Sequence, residues 1–568
     1  MLRTIYLPFF LALGLLAACG GGGSSGVEPG QAIPATGGAF GGAPGSPVPL
    51  YRIFERSVTN SGNYANKFTD VALDVTYTSP SGRQLTLPGF YDGDGNGGQN
   101  GDVWKFRFMP DEPGAWSYRY SWSDGTPGGS GELLAVTAGA GRGILKAYDD
   151  NPRWFAYNGT DPVFIRSYHV GSAGTTGLPI GWAAANIYAK LVSRGYNHVM
   201  LKTLPIAWTD EKPADAPGDH IAKPLWNRTP DTQDLQVWKR FEEHMKWLND
   251  RDIGVFFFMG FDPKGGSSEF FAQKRWTSLS SSEQDSYVRY VAARLAPFAN
   301  VAGWNYTWET DGNSGERQLM DLLEKYDPWG HLKTYHDEEP ASNQYDDARY
   351  SFAGIENHGY FGNHGGTPAH DSASHYQATI DAHRGKPVYM VEGNGLWRGC
   401  WAKSASETSI TRAAWAVTLA GGSFVWDDSP SCNKGPASAM LTWPSGNPIA
   451  KRLDVLYAVM TKEVEFHRMT PQNELLGGCA NTFNRNGGVP GSPCYALAET
   501  GRQYVVYKEN GGSFSVNLSS GAYGATWIDT RSGERQAANG GTVQAGGVVQ
   551  FTAPNTSTDW VLLLKAPS

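Results

Sequence analysis

The chain has 568 residues, more than one domain usually holds, so we expect two to four domains. Apolar residues make up 40% and charged residues 18%, a composition that excludes a disordered protein, a coiled coil and a collagen. The net charge of −8 disfavours a nucleic-acid-binding protein. The 20 tryptophans suit either uncharged ring-shaped ligands such as sugars or large aromatic cores, and composition alone favours neither.

Residues 1–18 predict a signal peptide for export. Their apolar stretch, residues 7–16, is too short to span a membrane stably and is placed as in exported proteins. It leads into Leu16-Ala17-Ala18-Cys19, which resembles the lipobox of bacterial lipoproteins; the resemblance implies cleavage before Cys19 and lipidation of its thiol. Residues 19–47, rich in Gly, Pro and Ser, predict a flexible tether. Gly20 after the cysteine favours the outer membrane, and a plain secreted protein is the alternative.

Residues 48–140 predict a small antiparallel β-sandwich, because runs of alternating apolar and polar residues are separated by turn signals. The clearest runs are residues 72–77, 104–108 and 116–120. The family called domain of unknown function 5060 resembles this region in three places. They are Gly89-Phe90-Tyr91-Asp92-Gly93-Asp94-Gly95, residues 104–108, and Pro110 with Gly114-Ala115-Trp116. Members of that family precede glycoside-hydrolase barrels, so the resemblance implies such a barrel behind this domain.

A glycine-rich stretch inside this domain matches the first half of a calcium-binding loop. It reads Asp92-Gly93-Asp94-Gly95-Asn96-Gly97. Position twelve of the loop is Val103 and not Glu, so the bidentate ligand is missing. The sequence favours a polar hairpin loop here and keeps calcium binding by Asp92 to Asn96 as the alternative.

Residues 150–465 predict a central (β/α)8 TIM barrel, because short apolar runs alternate with amphipathic helical segments. A doubly wound sheet is the alternative, but no G-x-G-x-x-G follows the first run. The predicted strands are residues 162–170, 197–204, 253–261, 301–308, 332–336, 352–358, 387–391 and 423–426. The predicted helices are residues 182–194, 237–251, 282–296 and 317–326.

Residues 466–568 predict a second antiparallel β-sandwich, which follows a helix at 450–461. Its Trp527-Ile528-Asp529-Thr530 and the closing Trp560-Val561-Leu562-Leu563-Leu564 resemble the C-terminal sandwich often fused behind such barrels. That family carries a suggested matrix-binding label. The predicted fold class is therefore multidomain: a central barrel flanked by an N-terminal and a C-terminal antiparallel β-sandwich.

Four cysteines follow Cys19 and form two local pairs. Cys400 stands near Cys432, and Cys479 near Cys494. An even number of cysteines in an exported chain predicts disulfides within these pairs. Their spacing lacks a C-x-x-C and a partnering histidine pair, so it does not indicate a metal site.

Polar residues end most of the predicted barrel strands, where functional side chains collect in this fold. Strand four ends in Glu309 and strand seven in Glu392. Because strands three apart face each other across an eight-strand ring, these carboxyl groups could bracket one bond. Glycosidic cleavage needs such a pair, a protonated acid for the leaving oxygen and a carboxylate for the anomeric carbon. Neighbouring aromatic side chains would stack on sugars and raise the pKa of the acid by excluding water.

This pattern resembles the large glycoside-hydrolase clan whose acid/base ends strand four and whose nucleophile ends strand seven, including apiosidase-like relatives. The resemblance implies Glu309 as acid/base, Glu392 as nucleophile and retention of configuration through a glycosyl-enzyme intermediate. It also implies that Tyr360 or His358 hydrogen-bonds the nucleophile and that Trp426 floors the sugar site. Further substrate contacts are expected from His169, Lys202, Trp208, Asn305, Trp308, Asp311, His336, Asn394 and Trp397.

One position departs from the clan's pattern. Trp308 stands where Asn usually precedes the acid/base and holds the sugar 2-hydroxyl, a contact that Asn305 or Asn394 could supply instead. Asp311 is the rival acid and Glu356 the rival nucleophile. A metal site is a further alternative, since three strands end in a histidine, but sugar hydroxyls favour the same side chains, and we expect neither metal nor cofactor. These histidines are His169, His336 and His358.

The sequence therefore predicts a retaining glycoside hydrolase that acts on an extracellular or periplasmic poly- or oligosaccharide. The alternative is a non-catalytic surface carbohydrate-binding lipoprotein on the same barrel, and a third hypothesis is a structural or adhesive lipoprotein with aromatic cores. We expect a monomer held to the bacterial outer membrane through its lipid alone, with no nucleic-acid partner.

Overall fold

The computed structural model describes most of the chain from residue 46 onward. The predicted signal peptide, the tether to residue 45 and Cys19 lie outside the described residues. The described ranges are residues 46–170, 177–202, 217–219, 221, 232–259, 276–305, 314–337, 343–356, 385–392, 407–426, 448–479 and 493–567.

The N-terminal region forms two facing sheets. One sheet has the order β1-β8-β7-β3-β4 and the other β2-β6-β5, and every pairing is antiparallel except that of β1 with β8. Rings from both sheets meet between them: Phe54 lies 5.5 Å from Tyr118, and Tyr77 stacks on Phe108 at 4.2 Å. The strands are β1 Val48–Pro49, β2 Phe54–Thr59, β3 Leu73–Thr78, β4 Gln84–Pro88, β5 Phe90–Tyr91, β6 Val103–Phe108, β7 Gly114–Trp122 and β8 Gly129–Val136.

A small three-stranded antiparallel sheet connects this region to the next; its strands are β9 Leu145–Ala147, β10 Phe155–Tyr157 and β11 Asp161–Val163. The strand predicted over 162–170 is wrong in its extent, because the chain leaves this sheet after β11 and begins a new strand at Ser167. Asn197 holds the intervening turn: its amide donates to the Phe164 carbonyl at 2.9 Å and accepts from the Arg166 N–H at 2.8 Å. A side chain 31 residues downstream thus ends the predicted run.

The described residues of the central region include ten short strands that pair in parallel. The pairings lead from β12 through β13, β14 and β15 to β16, and from β17 through β18 and β19 to β20. Their bounds are β12 Ser167–His169, β13 His198–Lys202, β14 Gly254–Phe258, β15 Val301–Asn305, β16 Lys333–Thr334, β17 His336–Asp337, β18 Ala353–Glu356, β19 Val388–Glu392, β20 Gly422–Ser423 and β21 Val425–Trp426.

Two of the predicted strands are each divided in the structure. Tyr335 alone separates β16 from β17, and Phe424 alone separates β20 from β21. In both cases the two halves pair with different neighbours, and β21 pairs in parallel with β12, the first strand of the series. The eight predicted runs therefore appear in chain order as one series of parallel strands whose last member pairs with its first.

Helices lie between several of these strands, as the apolar periodicity predicts. Ser280 and Glu283 form a capping box at the start of one, and the Asp234 carboxylate caps another, which explains where these two helices begin. The helices are α1 Ile180–Ala183, α2 Ala189–Ser193, α3 Leu235–Asn249, α4 Ser281–Leu295, α5 Ser314–Tyr326, α6 Glu407–Leu419 and α7 Pro448–Ala458, with π-helical turns at Ala184–Tyr188 and Val459–Glu463.

The C-terminal strands join into one antiparallel sheet of seven strands, in which a long hairpin of β26 and β27 supplies the outer part. The alternation of side chains divides this sheet between two cores. Tyr495 and Tyr507 belong to the core that continues into the central region, whereas Trp527 and Trp560 belong to a second core. The strands are β22 Thr470–Pro471, β23 Leu476–Gly477, β24 Cys494–Glu499, β25 Gln503–Lys508, β26 Ser513–Asp529, β27 Arg535–Thr552 and β28 Trp560–Lys565.

One of the two predicted disulfides is confirmed. Cys479 and Cys494 are bonded, with their Cα atoms 5.7 Å apart, and the bond ties β24 to the segment after β23. Cys400 and Cys432 lie outside the described residues, so their pairing stays a prediction.

Candidate active site

The carboxyl ends of the central parallel strands bring several predicted site residues to one edge. Parallel pairing places residues in register side by side, so chain positions at the ends of neighbouring strands lie close together. β12 ends at His169, β13 at Lys202, β15 at Asn305, β18 at Glu356 and β19 at Glu392. The sequence predicts these positions near strand ends, because each of them follows an apolar run, and their role in a site stays a prediction.

Glu392 is the last residue of β19, and its register partner on the neighbouring strand is Glu356. The register shifts just before this pair: Ile355 is opposite Met390, and Glu356 is opposite Glu392, so β19 has one extra residue there. Such a bulge displaces the alternation of a strand by one position. The pattern of residues along β19 alone gives no sign of this shift.

Buried aromatic side chains fix the strands below this edge. The Tyr389 ring of β19 stacks on the Phe256 ring of β14 with centroids 3.8 Å apart, although four strands separate the two in the series. The Tyr389 hydroxyl also lies 2.7 Å from the Ser167 hydroxyl of β12. Because dense packing of this kind resists displacement, Tyr389 holds the strand that carries Glu392 against two other strands of the parallel series.

Asn305 is the most informative side chain at this edge. It is 2% exposed, and neither its carbonyl oxygen nor its amide nitrogen has a hydrogen-bond partner within the described part of the chain. The backbone here is satisfied, since the Met259 N–H donates to the Asn305 carbonyl at 2.7 Å. A buried amide without partners costs free energy, and such groups are concentrated where a ligand completes the hydrogen bonds.

Two further predicted contact residues are deeply buried. His169 is 1% exposed at the end of β12. Trp426 of β21 is fully buried, with its ring edge-to-face against Tyr168 at 5.6 Å, so in this structure it packs in the core beneath the edge. Its predicted role as a floor for a sugar stays a prediction.

The remaining predicted site residues are described only in part or not at all. Lys202, His336, Glu356 and Glu392 are placed by their strands alone. Outside the described residues lie Glu309, Trp208, Trp308, Asp311, His358, Tyr360, Asn394 and Trp397. The structure therefore describes β15 and β19 among the parallel strands and leaves the predicted catalytic pair to be tested by experiment.

The glycine-rich loop that resembles a calcium site is engaged by basic side chains. The Asp92 carboxylate lies 2.6 Å from Lys105 and 2.9 Å from Arg294, and the Asn96 side-chain oxygen accepts a hydrogen bond from Lys239 at 2.8 Å. Asp94 accepts from two backbone N–H groups of its own loop, which lowers the pKa of its carboxyl group. These contacts favour the polar-loop alternative.

A cluster of buried charges joins this loop to the central region, and sequence reasoning missed it. Glu242 of α3 accepts from Arg107 of β6 at 2.8 Å and from Arg294 of α4 at 2.6 Å. Arg107 also binds Glu55 of β2 at 2.6 Å. Burial alone would raise the pKa of Glu242, but the two guanidinium groups lower it to about 2.

The described residues offer neither a metal-binding cluster nor a membrane-spanning helix. Within the ranges given above, no three His, Cys, Asp or Glu side chains are grouped so that they could hold a metal ion. Among the described helices, none combines the length and the apolar character that crossing a membrane requires.

Comparisons with known families match the two ends of the chain. Residues 47–123 match the family described as "Domain of unknown function (DUF5060)". Residues 491–565 match the family described as "Putative collagen-binding domain of a collagenase". Among curated proteins, none matches the sequence.

Solved structures resemble nearly the whole chain. A "putative glycoside hydrolase" from Bacteroides vulgatus ATCC 8482 is 18% identical with a TM-score of 0.63, over 91% of this chain and 99% of that one. A structure named glycoside hydrolase is 16% identical with a TM-score of 0.58, over 75% and 97%. A family 5 glycoside hydrolase from Bacteroides vulgatus ATCC 8482 is 16% identical with a TM-score of 0.54, over 75% and 93%. The chain therefore has a fold shared with solved glycoside hydrolases, and its two end regions match the two families above.

Proposed function

We propose that the protein is a retaining glycoside hydrolase whose ten parallel strand segments form a (β/α)8 barrel. The observation that carries the proposal is the strand series itself: eight predicted runs pair in chain order, and β21 pairs with β12. The shared fold with solved glycoside hydrolases supports the same assignment. In barrels of this kind, the carboxyl ends of the strands carry the chemistry.

Glu392 is the proposed nucleophile and Glu309 the proposed acid/base. Residue 392 lies in β19, and residue 309 comes four positions after the last described residue of β15. The two belong to the seventh and the fourth of the eight predicted runs. A carboxylate at the first position would attack the anomeric carbon, and a carboxyl group at the second would protonate the leaving oxygen and then activate water. The substrate is an extracellular or periplasmic poly- or oligosaccharide.

Asn305 is the proposed partner of a sugar hydroxyl. Its buried amide offers one acceptor and two donors with no protein partner in the described chain, which suits a hydroxyl that both donates and accepts. This would replace the contact that an asparagine at position 308 supplies in the clan that the sequence resembles.

The experiment is a survey of plant, algal and microbial glycans with soluble protein that starts after Cys19. New reducing ends would identify the substrate, and proton NMR of the first product would give its anomeric configuration. The proposal predicts that this configuration is the same as in the substrate. An inverted first product would contradict the double-displacement mechanism, and binding without cleavage would support the non-catalytic carbohydrate-binding alternative.

We further propose that the chain is an exported lipoprotein of the bacterial outer membrane, anchored through Cys19. The support is the lipobox-like Leu16-Ala17-Ala18-Cys19 and the glycine-rich stretch that follows it. The test is labelled-palmitate incorporation and membrane fractionation for the native chain and for Cys19→Ala. Equal labelling of the two chains would contradict the proposal.

A further inference from the structure

The glycine-rich loop of the N-terminal region, residues 92–101, reaches the start of α3 in the central region. β13 and β14 pair in parallel, so the helix between them runs back from the carboxyl ends of the strands to their amino ends. α3 has 15 residues, so its first turn lies about 22 Å along its axis from the end that leads into β14. The start of α3 is therefore on the side of the parallel strands where we propose the active site.

Gln99 of this loop completes the cap of the helix. The first four N–H groups of an α-helix have no partner within the helix. The Asp234 carboxylate accepts from two of those in α3, and the Gln99 side-chain oxygen accepts from a third, that of Leu235, at 3.3 Å. The Gln99 amide nitrogen also donates to the Gln233 carbonyl at 2.7 Å. A side chain of the N-terminal region thus holds both residues that flank the Asp234 cap.

Two further contacts hold the loop against the same helix. Lys239 of α3 donates to the Asn96 side-chain oxygen at 2.8 Å. The loop backbone approaches the helix closely at Gly97, where a Cβ would lie 3.0 Å from Lys239 Cδ and 3.6 Å from Gln236 Cα. Gly97 also has a φ of +95°, a conformation that favours glycine. This glycine therefore permits both the turn of the loop and its contact with α3.

The loop is fixed at both of its ends. At its start, the Asp92 carboxylate lies 2.6 Å from the Lys105 ammonium. At its end, the Tyr91 hydroxyl donates to the carbonyls of Gln99 at 3.2 Å and Gly101 at 3.0 Å. Because the N-terminal sheet holds the loop in one shape, the loop can hold the helix start in one place.

We propose that residues 92–101 are a positioning element of the active site, which fixes the start of α3 and thereby makes the N-terminal region contribute to substrate affinity. The connections that follow barrel strands form the active site in this fold, and the connection after β13 leads into α3. Neither Glu309 nor Glu392 belongs to β13 or α3, so a displaced helix start should weaken substrate binding and leave the chemical step unchanged. This inference rests on the proposed glycosidase function.

The first test measures backbone hydrogen exchange in the chain from residue 20 onward, and it needs no substrate. Gln99→Ala removes both hydrogen bonds to α3, and because Gln99 is exposed, the substitution opens no cavity. We expect exchange in peptides that contain residues 233–240 to rise about tenfold, with α4 and β14 unchanged. The matched control is Gln84→Ala, which changes an exposed glutamine of β4 in the same region and should leave all these rates unchanged. Unchanged exchange at residues 233–240 in Gln99→Ala would overturn the proposal.

The second test is kinetic and uses the glycan that the survey identifies. Gln99→Ala should raise KM about threefold or more, with kcat within about twofold of wild type, and Gln84→Ala should change neither. Lys239→Met keeps the apolar stem but removes the hydrogen bond to Asn96, so it should also raise KM. A loss of kcat at unchanged KM would overturn the proposal. Absence of cleavage by the wild type would refute the proposed function, whereas normal cleavage with an unchanged KM in Gln99→Ala would refute only the role of the loop.

Discussion

The two end regions of the chain are attached to the central region in different ways. At the N-terminal attachment, Arg107 and Arg294 bind Glu242, Glu55 and Asp92, and all five side chains are 1–9% exposed. At the C-terminal attachment, Arg412 of α6 binds Asp559 with two hydrogen bonds of 2.7 and 2.8 Å and pairs with the buried Glu509 at 3.3 Å.

Ring packing also joins the C-terminal region to the central region. Trp415 of α6 stacks on Tyr507 of β25 with centroids 5.6 Å apart and planes 9° apart. Asp559 also accepts from the Tyr507 hydroxyl and the Asn510 N–H, both at 2.8 Å, so it keeps two donors when Arg412 is absent. Removing one buried anion that two cations share should therefore cost much stability. An anion that keeps several hydrogen-bond donors should tolerate the loss of one of them.

The largest effect is expected for Glu242→Gln. The substitution removes the carboxylate that two buried guanidinium groups share, and it should lower the free energy of unfolding by about 3–5 kcal/mol. The measurement is denaturant unfolding followed by tryptophan fluorescence. The control is Glu243→Gln, whose side chain is 30% exposed beside Arg240 and should change stability by less than about 1 kcal/mol. Equal losses of stability in the two variants would contradict the claim that the N-terminal attachment depends on the shared Glu242 carboxylate.

A smaller loss is expected for Arg412→Met, which removes the cation but keeps the apolar part of the side chain. We expect a decrease of about 1–3 kcal/mol, because Asp559 retains its two other donors. Hydrogen exchange should increase in β25 and β28 and remain unchanged in the N-terminal sheets. Arg349→Met is the control, since this arginine is 42% exposed in its ion pairs. A loss as large as that of Glu242→Gln would show that the two attachments do not differ.

Acid should weaken the central region before it weakens the N-terminal attachment. Burial lowers the pKa of His198 from 6.5 to about 3 and that of His244 from 6.5 to about 4. As the pH falls, these histidines take up protons in the unfolded chain before they do so in the folded chain. Their contribution to the free energy of unfolding is therefore fully present above pH 6.5 and decreases below it, by about 1.4 kcal/mol per pH unit for each histidine.

Glu242 contributes only at lower pH. Its pKa is about 2 in the folded chain against 4.5 for the free group, so its stabilisation is present above pH 4.5 and is lost toward pH 2. Unfolding measured between pH 7 and 5 should therefore have the same slope in wild type and Glu242→Gln. If Glu242→Gln abolished the dependence of the free energy of unfolding on pH in this range, Glu242 and not the histidines would be the group that titrates first.

The smallest effect is expected for calcium. Since Lys105 and Arg294 bind the Asp92 carboxylate, adding calcium or a chelator should change the melting temperature by less than about 1 °C. Differential scanning calorimetry of the metal-free chain measures this. A rise of several degrees with calcium would show that the ion displaces these cations and that the loop is a metal site.

The order of the strands could be predicted from the sequence, because each central strand is a short apolar run that repeats between helical segments. The interruption after β11 could not, since it depends on the Asn197 side chain, 31 residues after Arg166. The charge cluster was hidden for the same reason: Arg107 and Glu242 are 135 residues apart, and a single arginine in an alternating strand gives no sign of its partner.

The candidate site was predictable in position but not in detail. Polar residues after apolar runs predicted His169, Asn305 and Glu392 at one edge, and the structure places all three in parallel strands. The shift that displaces residue 392 by one position depends on the pairing of β18 with β19, which a single strand's pattern does not contain. The complete burial of Trp426 likewise follows from its contact with Tyr168 on another strand.

The central claim is that Glu392 is the nucleophile of a glycosidase. The most direct measurement is release of reducing ends from the identified glycan by wild type, Glu392→Gln and Glu356→Gln. The account predicts that Glu392→Gln lowers the rate by a factor on the order of 10⁴ or more, with unchanged thermal stability, while Glu356→Gln retains the larger part of the activity. Full activity in Glu392→Gln, or loss only in Glu356→Gln, would contradict the account.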